Sequence, residues 1–180
     1  MMNATLTRQR RPGYSRWNSP SRLVWWLASA IPLLFIVGTR LMAPQAMPGA
    51  VRHAVVERAV DGDTIVLVGG DRVRYIGMDT PELHHPKKPV QFYAREAWLF
   101  NRQLVEGKPV RLEFDIEPRD KYGRLLAYVY LEDGTFVNAE MVRQGYARIL
   151  TIPPNVAHHQ QFLTLEREAR AARRGLWAFR

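Results

Sequence analysis

A chain of 180 residues, 47% of them hydrophobic, has room for one domain with a true core rather than two. Having no cysteine, it excludes disulfides, thiolate metal sites and a cysteine nucleophile. The formal net charge of +9 loses its simple meaning once divided: residues 1–50 hold six arginines and no acid, +6, while 51–180 hold 20 basic and 17 acidic residues, +3.

Residues 23–39 read LVWWLASAIPLLFIVGT, with no charge. As a helix this run spans roughly 26 Å at about 1.5 Å per residue, close to the thickness of a hydrocarbon core. Trp25 and Trp26 stand near its start, and Arg8, Arg10, Arg11, Arg16 and Arg22 precede it. The positive-inside rule then leaves the N-terminus in the cytoplasm and the remainder outside. The expected organisation is a basic cytoplasmic tail at 1–22, a transmembrane anchor at 23–42, a proline-containing linker at 43–50 and one folded domain at 51–180. The alternative is a cleaved signal peptide and a secreted domain. That reading asks for a shorter apolar run and an A-x-A site, against which stand Arg40 and the irregular Ala43-Pro44-Gln45-Ala46.

Strands come first in the domain. Residues 51–60, 64–68 and 72–78 are rich in valine and isoleucine, and Gly69-Gly70-Asp71 has the turn chemistry of a hairpin, so three adjacent antiparallel strands are expected. Tyr93, Ala97, Phe100 and Leu104 recur at helical spacing over 91–106, ending at Gly107. Val110, Leu112, Phe114 and Ile116 alternate with charged residues as in a half-buried strand. Residues 125–131 and 135–137 flank Glu132-Asp133-Gly134, a second hairpin signal. Asn138 is the expected cap of a short helix at 139–144, and a longer helix is expected over 157–173. Strands with interposed short helices and no βαβ rhythm predict a small Greek-key barrel. Trp98, Phe100, Phe162, Leu165 and Trp177 are assigned to packing.

Three acidic motifs fall at strand ends: Asp61-Gly62-Asp63-Thr64, Asp79-Thr80-Pro81-Glu82, and Asp120 with Lys121-Tyr122-Gly123-Arg124. Singly, each reads as a turn, a helix cap or a solvated loop. Together they suit phosphodiester hydrolysis, which needs a hard cation on the non-bridging oxygens, a base for water and fixed positive charge. Asp63, Asp79 and a backbone carbonyl are oxygen ligands suited to calcium. Glu82, beyond a rigid proline, is free to act on water, and Arg74 and Arg124 offer two guanidinium forks to one phosphate. His84, His85, Lys87 and Lys88 form a loop beside these motifs whose plain reading is solvation. His158 and His159 have no partner pattern for a metal.

The domain resembles the micrococcal, or staphylococcal, thermonuclease family. The matching residues are DGDT at 61–64, Arg74, DTPE at 79–82, HPKKPVQFYAREA at 85–97, DKYGRLLAYVY at 120–130 and VNAEMVRQGYA at 137–147. The resemblance implies an α+β fold, a five-stranded OB-fold β-barrel with three helices, here preceded by one N-terminal transmembrane helix. It further implies a monomeric calcium-dependent nuclease that hydrolyses DNA and RNA to 3′-phosphate products. On it, Asp63 and Asp79 are the Ca2+ carboxylates, and Thr80 adds its backbone carbonyl. Glu82 assists the attacking water, Arg74 and Arg124 clamp the phosphate, and Lys121 and Tyr122 approach the terminal phosphate of a bound nucleotide. One departure stands out: where the best-known relative lines its nucleotide pocket with two tyrosines, this chain reads Ile149-Leu150-Thr151-Ile152-Pro153-Pro154. Stacking is worth roughly 1–3 kcal/mol per base, so substrate affinity is expected to differ while the chemical step is kept. The rival from another class is a catalytically silent nucleic-acid-binding OB module at the membrane; intact acidic and arginine positions favour catalysis.

Overall fold

The computed structural model describes Met47, residues 49–84, Lys87 and residues 89–179. They belong to the second of two compact units, Pro44–Arg180. The expected tail at 1–22, the anchor at 23–42 and most of the linker lie outside the described residues, as do His85 and Lys88. Among the described residues no helix is long and apolar enough to cross a membrane.

Five strands close into a barrel in the order β1, β2, β3, β6, β5. β1 (Val51–Ala59), β2 (Thr64–Leu67) and β3 (Arg72–Tyr75) are the expected antiparallel run, with Ile65 opposite Val73 and Thr64 opposite Arg74, but the third strand stops at Tyr75 instead of continuing to Met78, because the chain turns at Gly77. The short β4 is Met78–Asp79. β1 also pairs antiparallel with β5 (Pro109–Glu113), which pairs with β6 (Leu125–Leu131). Closure is made by a parallel pairing of β3 with β6, Val73 opposite Leu125 and Tyr75 opposite Ala127. Inward residues of all five strands, among them Val56, Leu67, Val73, Leu112, Leu125 and Val129, are fully buried and fill the interior.

Three helices pack outside. α1 (Ala94–Val105) buries Ala94, Ala97, Asn101 and Val105, spaced so that they share one face. It begins later than the pattern predicts, because Tyr93 precedes it in the left-handed region, φ 70. α2 (Val137–Arg143) corrects two expectations. Residues 135–137 form no strand; only Phe136 bridges to Tyr130, and Val137 already opens the helix. Asn138 does not cap it but lies inside it, fully buried. Its side chain accepts from the Val129 amide at 3.0 Å and donates to the carbonyls of Ile76 at 3.0 Å and Ala127 at 3.3 Å. These backbone groups lie where β6 leaves β3, and a buried amide is the side chain able to satisfy donor and acceptors at once. β7 (Arg148–Ile149) pairs with β4, and α3 (His159–Ala171) lays Phe162 and Leu165 onto the core. Gly77 sits under α3 with φ +83, and a Cβ there would meet Phe162 Cε2 at 2.3 Å, so the turn from β3 to β4 needs glycine for shape and for space.

Candidate active site

The turn between β1 and β2 begins the site. Asp61 Oδ1 accepts from the Asp63 amide at 3.0 Å, a local Asx bond that folds the turn. Asn101 of α1 holds it from behind, donating to the Asp61 carbonyl at 2.9 Å while accepting from the buried Tyr75 hydroxyl at 2.9 Å. Gly62 is required by crowding: a Cβ would meet the Thr80 side chain at 2.7 Å. That close approach lets Asp63, buried, accept from both the amide and the hydroxyl of Thr80 at 2.9 Å through Oδ2.

Arg74 projects from β3 into the same place. Its Nη1 stands 2.7 Å from Asp63 Oδ2 and its Nη2 donates to Asp79 Oδ1 at 2.7 Å, so one guanidinium bridges two carboxylates. Nη1 is buried in ion-pair contact but finds no well-directed hydrogen bond among the described residues, a donor left over for another oxygen. Glu82 is fixed by Gln91 through both backbone groups: its amide donates to Gln91 Oε1 at 3.0 Å and its carbonyl accepts from the Gln91 amide at 3.1 Å.

The loop before β6 is built on Asp120. Its carboxylate accepts from the Tyr122 amide at 2.9 Å, the Arg124 amide at 3.0 Å and Arg124 Nε at 2.7 Å. Arg124 therefore presents its remaining donors in a set direction. Lys121 and Arg124 lie 5.0 and 5.6 Å from the exposed Tyr122 ring.

Two adjoining pockets result. A polar one of about 190 Å³ brings together Asp63, Arg74, Asp79, Thr80, Glu82 and Arg124, the six residues expected for metal and phosphate. A larger one of about 450 Å³ shares Arg74 and Arg124 with it and adds Lys121 and Tyr122, the two expected at a nucleotide's terminal phosphate. Leu150 and Ile152 line its apolar side, where the sequence predicted a loss of aromatic stacking. Sequence reasoning did not assign roles to Asp61, Arg72, Gln91 or Asp120. Asp61, Arg72 and His84 line the polar pocket, while Gln91 holds the Glu82 backbone and Asp120 the Arg124 side chain. The turn chemistry of Asp120 ahead of Gly123 was the available signal; nothing local marked Gln91.

The electrostatics are those of crowded acids. Burial, then the neighbouring Asp63 charge, pushes the Asp61 carboxyl up to about 7. Asp79 is also raised: burial contributes most, the Arg74 charge opposes it, and Asp63 and Glu82 add to the rise. Among the described residues no three acidic or histidine side chains stand close enough together to hold a metal ion. The donors nonetheless fit a hard cation, because Asp63 and Asp79 converge on one positive group, now Arg74, and Glu82 shares their pocket.

Comparison with known proteins agrees with this geometry. The sequence model described as "Staphylococcal nuclease homologue" matches residues 72–179. A thermonuclease of Staphylococcus intermedius is 43% identical over 126 residues, 68% of this chain and 74% of the relative. A thermonuclease of Staphylococcus hyicus is 36% identical over 124 residues, 67% of this chain and 73% of the relative. Endonuclease YncB of Bacillus subtilis (strain 168) is 42% identical over 131 residues, 70% of this chain and 62% of that longer relative.

Proposed function

The chain belongs to the staphylococcal nuclease family, and from that premise we infer that it is a nuclease, a hydrolase cutting the phosphodiester bonds of DNA and RNA with calcium as its cofactor. The observation that carries the reading is the convergence of Asp63, Asp79, Glu82, Arg74 and Arg124 on one polar pocket.

Asp63, Asp79 and the Thr80 carbonyl are the groups assigned to hold the ion. When bound, calcium supplies a compact positive charge against the non-bridging oxygens of the phosphate. Glu82, anchored through Gln91, accepts a proton from the attacking water or orients it. The water oxygen bonds to phosphorus and the bond to the 5′ oxygen breaks; that oxygen takes a proton from solvent and leaves as a hydroxyl, and the other strand end keeps a 3′-phosphate. Arg74 and Arg124 grip the phosphate from two separate elements, β3 and the loop before β6. Arg74 is held between the two carboxylates, so a cation at the acids would free its Nη2 from Asp79 for a phosphate, and the two are mutually favourable. Lys121 and Tyr122 meet the neighbouring nucleotide in the larger pocket. We assign the N-terminal segment at 23–42 to a membrane anchor that leaves the domain, as a monomer, outside the cytoplasm.

One experiment tests activity, cofactor and place together: degradation of single-stranded DNA by fractionated cells and by purified protein, with calcium and with excess chelator. Activity is expected in the membrane fraction, abolished by chelator. Glu82→Gln is expected to lose about 10²- to 10⁴-fold in rate with binding retained. Asp63→Ala is expected to be similarly impaired. Unchanged cutting by both variants would refute the assignment.

A further inference from the structure

Among the described residues three aromatic side chains stand exposed: Phe92 at 64%, Tyr122 at 73% and Phe179 at 68%. Tyr122 and Phe92 each line a pocket that adjoins the polar one. Tyr122 rims the larger pocket, while Phe92 lines a third of about 180 Å³ whose walls include Asp79, Thr80, Pro81 and Arg148. Phe179 meets Phe92 edge to face, with centroids 5.3 Å apart.

This pair is held in place although it buries little. Tyr93, at φ 70, carries a backbone conformation that costs a non-glycine residue energy, and no side chain caps the helix it begins. The turn leaves Tyr93 half-buried and stacked on Tyr146 at 5.7 Å, which stacks in turn on Phe100 at 4.4 Å. Phe92 and Phe179 are the outer end of this ladder, in contact with Tyr93 at 5.7 and 6.2 Å. The rings are thus presented to solvent from a rigid base.

We propose that the Phe92–Phe179 pair is a base-stacking step for single-stranded nucleic acid, on the side of the reacting phosphate opposite the Tyr122 pocket, with Arg148 meeting a backbone phosphate beside it. Continuity supports the occupant: the third pocket shares Asp79, Thr80 and Pro81 with the polar pocket, so a strand leaving the reaction centre passes over that turn onto the rings. Charge supports it too, since the exposed Arg148 lies directly across from Asp79 in the β4–β7 pairing. Every base has a π-face, so such a step extends the binding site without adding sequence preference. The proposal rests on the nuclease reading above.

The test is fluorescence anisotropy with a labelled single-stranded DNA of about twelve nucleotides, in chelator so that binding is read without cutting. Phe92→Leu and Phe179→Leu keep apolar bulk and remove the rings. Each is expected to weaken binding about 5-fold, and the pair about 25-fold. An abasic site at the stacked position should weaken the wild type by a similar factor and the double variant no further. Phe92→Trp should keep the affinity, with its fluorescence quenched by the bound strand. A double variant that binds as tightly as the wild type overturns the step and leaves the nuclease reading standing. A wild type that neither binds nor, with calcium, cuts the strand overturns both. Loss of binding to phosphatidylglycerol vesicles in the double variant, with oligonucleotide affinity unchanged, would assign the rings to a lipid surface and overturn the step.

Discussion

Asp120 reaches the polar pocket only through Arg124, whose side chain it holds. Burial raises its pKa, but hydrogen bonds from the Arg124 side chain and from the amides of Arg124 and Tyr122 outweigh burial and hold the carboxyl below the usual range. A lowered folded pKa contributes stability that is present above the unfolded value, about 4, and lost as pH falls through the folded one. Asp120→Asn should therefore be less stable than wild type by roughly 1 kcal/mol near neutrality. It should also show a shallower loss of stability below about pH 4, and urea titrations across pH check both. The same variant is expected to cut roughly 10-fold more slowly, because Arg124 Nε loses its charged acceptor.

At the scale of elements, the strands and the long helices were legible because their apolar residues recur with periods that one buried face imposes. The errors cluster around α2. Glu132-Asp133-Gly134 is a turn, but the chain after it bridges only at Phe136 before Val137 enters the helix, since the core wants Val137, Ala139 and Met141 buried there. Asn138 looks like a cap because asparagine favours helix ends; its real partners at 76, 127 and 129 come from another part of the chain and leave no local pattern. Gln91 was missed for the same reason, its bonds to Glu82 depending on how the intervening loop returns. The residues that meet in the polar pocket were readable, as each sits in a short motif of chemically unusual residues. Asn138→Ala should cost roughly 2–5 kcal/mol, because it strands buried backbone groups at the place where β6 changes partners. Equilibrium denaturation checks this, and a loss under about 1 kcal/mol would mean that water replaces the amide.

For the molecule as a whole, the crowded carboxylates raise one another's pKa, a repulsion that the calcium proposed above would relieve. Calcium at 100 times its dissociation constant should stabilise the wild type by about 2.7 kcal/mol. Melting curves with calcium and with chelator check this, and the increment should vanish in Asp63→Ala. The barrel's closing seam has a further consequence. Arg74 lies on β3 and Arg124 immediately before β6, and the two strands meet through the parallel pairing of residues 73–75 with 125–127, made between distant stretches of the chain. An unfolded chain thus carries the residues of the polar pocket scattered along its length. The pocket exists only once that seam has closed, so cutting by the nuclease proposed above waits on folding.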